Sequence, residues 1–495
     1  MNKLYSFFTI LFVLTVFGVS KGQEVKQEVF DLGLKVVSVT TVDGEEPTAD
    51  PIKAPQGSWG LGLTNVTKVP GSVKIFSPEG DLLYDSGDYL KKESGMTIKI
   101  RGNTSAQYDK KPFKIKLEKK ADLLLRDDKN LRDKNWLLLA DRDLLRMCGF
   151  ILGKVAGLEW APAYEWVNVV VNGDYRGNYM LVESVERNET CRIQTEETGF
   201  VTERDPYWWN ENGEYLNSVW LPQFGWTMKY PDFEDFTDEQ KDYVQSVLDE
   251  FEAIISTENY ADLIDVDSFC RWLICQDVLG TSDGGGTNLF IAKKDNTPDS
   301  KLYVPVLWDT DSAEEIETDW SRVHKEPVIS LLFNNNNKAF VHRYIHLYNE
   351  ISADLYQSLQ DLADQCLTEE YDAFARSAEM NNFRWTRDNY DRALLPQENA
   401  EHLNWWLNLR KPWLDLAVDE LTVATAVEDI VYESVASLDL VVNNGVLVVR
   451  NAVEKINVFS VDGRLVYSGT ETEIPLPAKG VYIITSGNRS KKIVY

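Results

Sequence analysis

The stretch Asp283-Gly284-Gly285-Gly286-Thr287-Asn288 sets a carboxylate and an amide side chain at the two ends of a glycine-rich loop. A strand pattern, Leu289 to Ala292, follows. After a turn comes a second strand pattern, Tyr303 to Leu307, that runs into Trp308-Asp309-Thr310-Asp311. Paired as a hairpin, these strands bring Asn288 and Asp309 to the same end. Amide and carboxylate oxygens converging there suit a hard cation such as Mg2+. Asp283 is then placed to reach a substrate hydroxyl. Phosphoryl transfer needs this kit: a cation on the phosphates, oxygen ligands for Mg2+, and a carboxylate for the hydroxyl proton. Taken alone, Asp-x-x-x-x-Asn also fits an ordinary polar turn.

Upstream, Arg101-Gly102-Asn103-Thr104-Ser105 precedes Lys110-Lys111-Pro112-Phe113-Lys114-Ile115-Lys116-Leu117. On a strand Phe113, Ile115 and Leu117 face one way, and Lys114 and Lys116 the other. A lysine projecting from a strand beside a Gly/Ser loop is suited to nucleotide phosphate. The same pattern also describes a solvated sheet face.

The elements that must position these groups fall into a β-rich first part and a helical second part. From Val29 to Leu117 short alternating runs are broken by Gly, Pro and Asp. Asp122 to Leu158 reads helical, stopped by Gly157. Strands Trp166 to Val171 and Tyr179 to Val185 flank Asn172-Gly173, a tight-hairpin signal. Thr237 and Gln240 form a capping box, ahead of the apolar stripe Val244, Val247, Leu248, Phe251, Ile254 and Ile255. Helical patterns return over Asp267 to Leu279 and over Val328 to Leu416. Trp405, Trp406 and Trp413 fall on helical spacing, which assigns them to a core ahead of sugar stacking. An acidic, small-residue stretch from Val418 to Ser437 reads as a linker, and short strands beyond it form a small β-sandwich.

The formal net charge of -28 argues against a nucleic-acid binder, since phosphate contacts need a basic surface. It also suits basic substrates, or carboxylates gathered around divalent metal. Five cysteines, odd in number and widely spaced, make neither a disulfide framework nor a CxxC site. Without HExxH or paired histidines, a zinc hydrolase is disfavoured. An early lysine, an apolar run from Phe7 to Val19 and Ser20-Lys21-Gly22 make a secretory signal peptide. The run is short for a membrane span, and no other segment approaches that length. The mature protein is expected to be secreted, at the cell surface or periplasmic, with no transmembrane segment after cleavage.

Several of these motifs together resemble the CotH (spore coat protein H) kinase family. The Arg101 to Ser105 loop with its Lys-Lys-Pro-Phe-Lys-Ile-Lys-Leu strand looks like the family's opening motif. Asn135-Trp136-Leu137-Leu138, Asp141 and Leu145-Arg146 follow it. Asn172-Gly173-Asp174-Tyr175-Arg176-Gly177-Asn178-Tyr179-Met180-Leu181-Val182-Glu183 is similar to the central signature, and Asp283 to Asn288 and Trp308 to Asp311 complete the order. The resemblance spans Leu32 to Trp413.

It implies an α+β, atypical protein-kinase-like two-lobed fold: a β-rich N-terminal part, a helical C-terminal lobe, and the C-terminal β-sandwich besides. It further implies ATP with Mg2+ or Mn2+, and phosphorylation of Ser/Thr on an exported or envelope protein. Asp283 would be the catalytic carboxylate, while Asn288, Asp309 and Asp311 would hold metal. Lys114 or Lys116 would touch phosphate, Arg101 would be a further cofactor-binding residue, and Glu183 would be either an adenine-site residue or a structural carboxylate. The expected organisation is a signal peptide (1–22), an N-terminal β-rich region (23–95), a CotH-like kinase domain (96–416), a linker (417–437) and a sandwich (438–495). The last of these resembles the C-terminal sorting domains of Bacteroidetes proteins. Two features depart from the family pattern: Asp311 leads into Ser312-Ala313-Glu314-Glu315 rather than a small residue and Gly, and the triple glycine loosens the catalytic loop. The alternative function is a non-catalytic (pseudokinase) cell-surface binding or assembly module, with carbohydrate association as one form of it.

Overall fold

The computed structural model describes residues 25–53, 61–63, 66–205, 215–220, 225–232, 235–285, 288–334, 337–385, 392–436, 438–443, 445–450, 452, 454–460, 463–486 and 489–495. The expected signal peptide, Gly286, Thr287, Asn444 and Asp462 lie outside the described residues. The chain divides into two units, Met1–Phe333 with Leu347–Lys411, and Asn334–His346 with Pro412–Tyr495.

The first unit opens with α1 (Gln27–Phe30), β1 (Val36–Thr41), β2 (Pro51–Lys53), β3 (Leu61–Leu63), β4 (Val69–Phe76), β5 (Leu82–Asp85), β6 (Met96–Ile100), β7 (Phe113–Ala121), β8 (Asp133–Leu139), α2 (Leu145–Val155), β9 (Tyr164–Val171) and β10 (Asp174–Glu183). Eight of these strands form one sheet in the order β1-β9-β10-β8-β7-β6-β4-β5, and a further β1–β4 pairing closes it into a barrel. β1 and β9 run parallel; the other neighbours are antiparallel. Alternate residues point inward: Val37 and Val39, Ile98 and Ile100, Phe113, Ile115 and Leu117, Val167, Val169 and Val171 make one buried cluster. Each such apolar side chain contributes about 1.5–3 kcal/mol over leaving it exposed. That alternation turns Lys99, Lys114 and Lys116 to the opposite face.

Two sequence expectations change here. Asp133–Leu139 is a strand between β7 and β10, not part of a helix. Its run Trp136-Leu137-Leu138-Leu139 is buried on both faces, and a short continuous apolar run carries no periodicity to separate strand from helix. Nor does the sheet stop at residue 95, since β1, β4 and β5 are strands of the same sheet as β6 to β10. The Asn172-Gly173 hairpin forms as expected, both residues at positive φ (51° and 77°).

A second sheet, β12-β13-β11-β14-β15, is built from β11 (Phe200–Arg204), β12 (Tyr215–Leu216), β13 (Trp226–Tyr230), β14 (Leu289–Lys293) and β15 (Leu302–Tyr303). The helices are α3 (Asp238–Ile254), α4 (Tyr260–Leu263), α5 (Val266–Leu279), α6 (Pro327–Leu332), α7 (Lys338–Gln365), α8 (Asp372–Arg384) and α9 (Pro396–Ala436). The capping box at Thr237 and Gln240 is present on α3. Trp406 is fully buried while Trp405 is 44 % exposed. The stretch expected as a linker from residue 417 is helical as far as Ala436, where α9 ends.

In the second unit, β16 (Leu440–Asn443), β17 (Val446–Val449) and β20 (Glu473–Pro475) form one sheet. β18 (Ile456–Ser460), β19 (Leu465–Gly469), β21 (Val481–Ser486) and β22 (Arg489–Val494) form another. Leu447, Val449, Ile456, Val458, Ile474 and Ile484 from both sheets belong to a single buried cluster.

Candidate active site

A cavity of about 1540 Å³ lies within the first unit. The non-barrel face of β6 and β7 gives it one wall, through Lys99, Lys114 and Lys116, joined by the loop Arg101 to Ser105. The segment after β10 adds Ser184 to Glu189, and β11 and β13 add Glu203, Asp205 and Lys229. The cavity is also lined by Asp283, Gly284, Gly285, Asn288, Asp309, Asp311 and Glu326. Seven of the eight residues expected at the site therefore meet at one cavity, although they span residues 101 to 311 of the chain.

α5 leads into the loop that carries Asp283. Its N-cap is Asp265, whose carboxylate accepts from the Asp267 amide, and it ends on Gly280 in the left-handed conformation. The next residues enter the cavity wall and are stitched to the Asp309–Asp311 turn. The Ser282 amide donates to the Ser312 carbonyl at 3.2 Å and the Asp283 amide to Ser312 Oγ at 3.1 Å. Gly284 and Gly285 are closely packed. A Cβ on Gly284 would stand 2.6 Å from the amide of buried Gln276, and one on Gly285 2.8 Å from Glu326 Cγ.

β14 and β15 pair as the expected antiparallel hairpin, but the second strand is only Leu302–Tyr303, and Val304 to Leu307 continue without ladder pairing. Asn288 and Asp309 flank this unit, each in the left-handed region at φ 62° and 55°. Asn and Asp tolerate that region better than other non-glycine residues. Such backbone conformations cluster where side chains must be aimed. Helix α2 braces the Asp309 turn: the Thr310 hydroxyl donates to the Leu145 carbonyl at 3.0 Å, and Gly149 leaves no room for a Cβ against Thr310.

Arg146, one turn before Gly149, was legible only as a motif residue. Its guanidinium joins Asp141 (2.9 Å), Asp311 (3.2 Å) and Asp309. Partial enclosure by the cavity wall raises the Asp311 pKa. Arg146 and Arg101 act against that rise, and Asp141 and Asp283 add to it.

Lys114 is paired with Glu186 at 2.7 Å, a partner that sequence reading missed. Glu186 also accepts from Asn135 Nδ2 at 2.6 Å and lies 3.9 Å from Arg192. Burial acts to raise its pKa, but Lys114 and Arg192 outweigh this and hold the carboxyl below the ordinary glutamate value. Glu183, the eighth expected residue and open to an adenine-site or a structural role, is not among the lining residues. It is buried and accepts from Arg126 Nη2 at 2.7 Å and from the Ala163 amide at 3.0 Å. Glu326 is a further carboxylate beside Asp283. Burial raises its pKa, Arg204 opposes this, and Asp283 adds to it.

Among the described residues no three His, Cys, Asp or Glu side chains cluster as a ready metal cage. The donors present are oxygens only, from Asp309, Asp311 and Asn288. Such a set fits Mg2+ or Mn2+, which are commonly held by one or two carboxylates together with substrate phosphates. The five cysteines are buried thiols without disulfides, and no described helix is long and apolar enough to cross a membrane.

Among known families, the one described as CotH kinase protein matches residues 98–414, more than half of the 495-residue chain. No curated protein matches it. The chain therefore belongs to the CotH kinase protein family.

Proposed function

We propose that this protein is a Mg2+- or Mn2+-dependent kinase that moves the γ-phosphoryl group of ATP to a Ser or Thr hydroxyl of an exported or envelope protein. The observation that carries this reading is the convergence of a lysine-bearing wall and an Asp/Asn-bearing wall on one cavity. Lys114, Lys116 and Arg101 supply positive charge for the phosphates, with Glu186 fixing the Lys114 ammonium. Asp309, Asp311 and Asn288 would hold the metal, which when bound neutralises phosphate charge in the transition state. Asp283 accepts the proton of the acceptor hydroxyl. The acceptor oxygen then bonds to the γ-phosphorus as the bond to the bridging oxygen of ADP breaks.

The barrel with its lysine wall corresponds to the β-rich lobe of a kinase-like fold, and the helical part to the second lobe. In the second unit, the buried cluster shared by both sheets supports a β-sandwich, and its surface-attachment role rests on the resemblance of its sequence alone. Export rests on the signal-like residues 1–22. The acidic composition gives no support for a nucleic-acid partner. One observation favours a non-catalytic module instead: Arg146 already sits on Asp309 and Asp311.

The test is calorimetric titration of Mg-ATP into the purified protein, paired with radiolabel transfer to a generic acceptor protein. Binding with transfer is the expected result. Binding without transfer establishes the non-catalytic module, and absence of both refutes the reading.

A further inference from the structure

Arg146 takes no part in the transfer chemistry just described, yet it is the cation seated on the proposed metal ligands. Its side chain is 6 % exposed. Nε donates to Asp141 Oδ2 at 2.9 Å, Nη2 donates to Asp311 Oδ2 at 3.2 Å, and Nη1 lies against Asp309 Oδ1. The same residue lines the cavity that Lys114 and Lys116 also line. One guanidinium thus faces three carboxylates and the space proposed for phosphate. Burial acts to lower its pKa, but the Asp141 and Asp311 carboxylates more than reverse this. A guanidinium stays charged at any working pH. It can leave the carboxylates by moving, not by losing a proton.

We propose that Arg146 is the resident counter-cation of this site: it holds Asp309 and Asp311 while no ligand is bound and releases them to a divalent cation only when phosphate accepts its Nη hydrogens. The inference rests on the phosphotransfer reading and specifies how that site loads. A bare cation taking Asp309 and Asp311 strands the two Nη groups in a buried setting, and an unpaired buried charge is costly. Phosphate arriving alone meets two carboxylates of like charge. Arriving together, the cation satisfies the carboxylates and the phosphate satisfies the guanidinium. The Nε bond to Asp141 stays in place as the pivot. Cation and nucleotide therefore bind with positive coupling, which is reciprocal by linkage.

The experiment uses the full chain with Mn2+ alone, followed by the paramagnetic resonance of unbound Mn2+, and separately Mn2+ with a non-hydrolysable ATP analogue, followed by calorimetry. Arg146→Gln is expected to bind bare Mn2+ on the order of tenfold tighter and the Mn2+–analogue complex on the order of tenfold weaker. Arg146→Lys, which keeps the charge without the two-pronged reach, is expected to shift both in the same senses by less. A merely structural arginine would weaken both affinities together, and that result, or unchanged bare Mn2+ affinity in the variants, overturns the proposal. If Arg146→Gln does not fold, the crossed pattern in Arg146→Lys decides the matter. Wild-type binding of the complex with no crossing in the variants removes this inference alone. Failure of the wild type to bind either form removes the phosphotransfer reading and this inference with it.

Discussion

Asp283 and Asp309 are held by different contacts, and their removal should have different effects. The Asp283 backbone is fixed to Ser312 Oγ, on the turn that carries Asp309, so its carboxylate is aimed without spending an oxygen on that backbone contact. Asp283→Asn should cut transfer by roughly 10²- to 10⁴-fold, the usual worth of a positioned base, while leaving Mg-ATP affinity near wild type. Asp309→Asn should weaken metal-dependent nucleotide binding as well as turnover. Radiolabel transfer and calorimetry on both variants separate the two roles, and full transfer in Asp283→Asn would remove it as the base.

Glu186 carries a pH signature. Its folded pKa is depressed, so its contribution to stability is present above the ordinary glutamate value and is lost as pH falls through the lowered one. Melting temperature against pH should show this acid limb in wild type and a shallower one in Glu186→Gln. Spacing along the chain disclosed Asp283, Asn288, Asp309 and the lysine strand, because each motif is local. The Lys114–Glu186 pair was not legible, because period-two alternation ends with β10 at Glu183, three residues before Glu186.

α2 holds the Asp309–Asp311 turn through Leu145, Arg146 and the close approach of Gly149 to Thr310. Gly149→Ala would gain about 1 kcal/mol of helix propensity but would overpack against Thr310, at a cost of about 1–3 kcal/mol. Net destabilisation is expected, together with weaker Mg-ATP binding, since Thr310 lies between the two carboxylates. Gly153→Ala is the control on the same helix. Its added Cβ would sit 3.4 Å from Leu307 Cβ, so stability should hold or rise, with binding unchanged. Equal effects from the two substitutions, by thermal melts and calorimetry, would refute the bracing role of Gly149. At this scale the sequence exposed elements with a clear period or a cap, such as α3 and the β9–β10 hairpin. It hid β8, whose leucines are buried on both faces, and the tight packing of Gly284 and Gly285, which depends on Gln276 and Glu326 from elsewhere in the chain.

Across the whole chain, composition located a β-rich first part and a helical second part. The family match begins at residue 98, next to the boundary expected at 95, and β1 and β4 before it share a barrel with the strands beyond it. The C-terminal seam is better defined. The buried cluster of the last two sheets is drawn from Leu438 to Ile484, and α9 ends at Ala436. Deleting residues 438–495 should leave Mg-ATP binding intact. Saturating ligand should raise stability by about 2–4 kcal/mol at roughly 100 to 1,000 times its dissociation constant, seen as a thermal shift equal to that of the full chain. Loss of the shift in the shortened protein would place the seam elsewhere.

Closure of the barrel also has a consequence in time. Val36 in β1 pairs with Asn168 in β9, so a strand made at the start of synthesis must wait for one made well over a hundred residues later. At the usual pace of about 5–20 residues per second, that delay is on the order of ten seconds. During it β1 has only β4 beside it, and β8 still lacks β10. The nascent chain therefore carries two raw sheet edges, and protecting them from neighbouring chains falls to whatever receives it as it emerges.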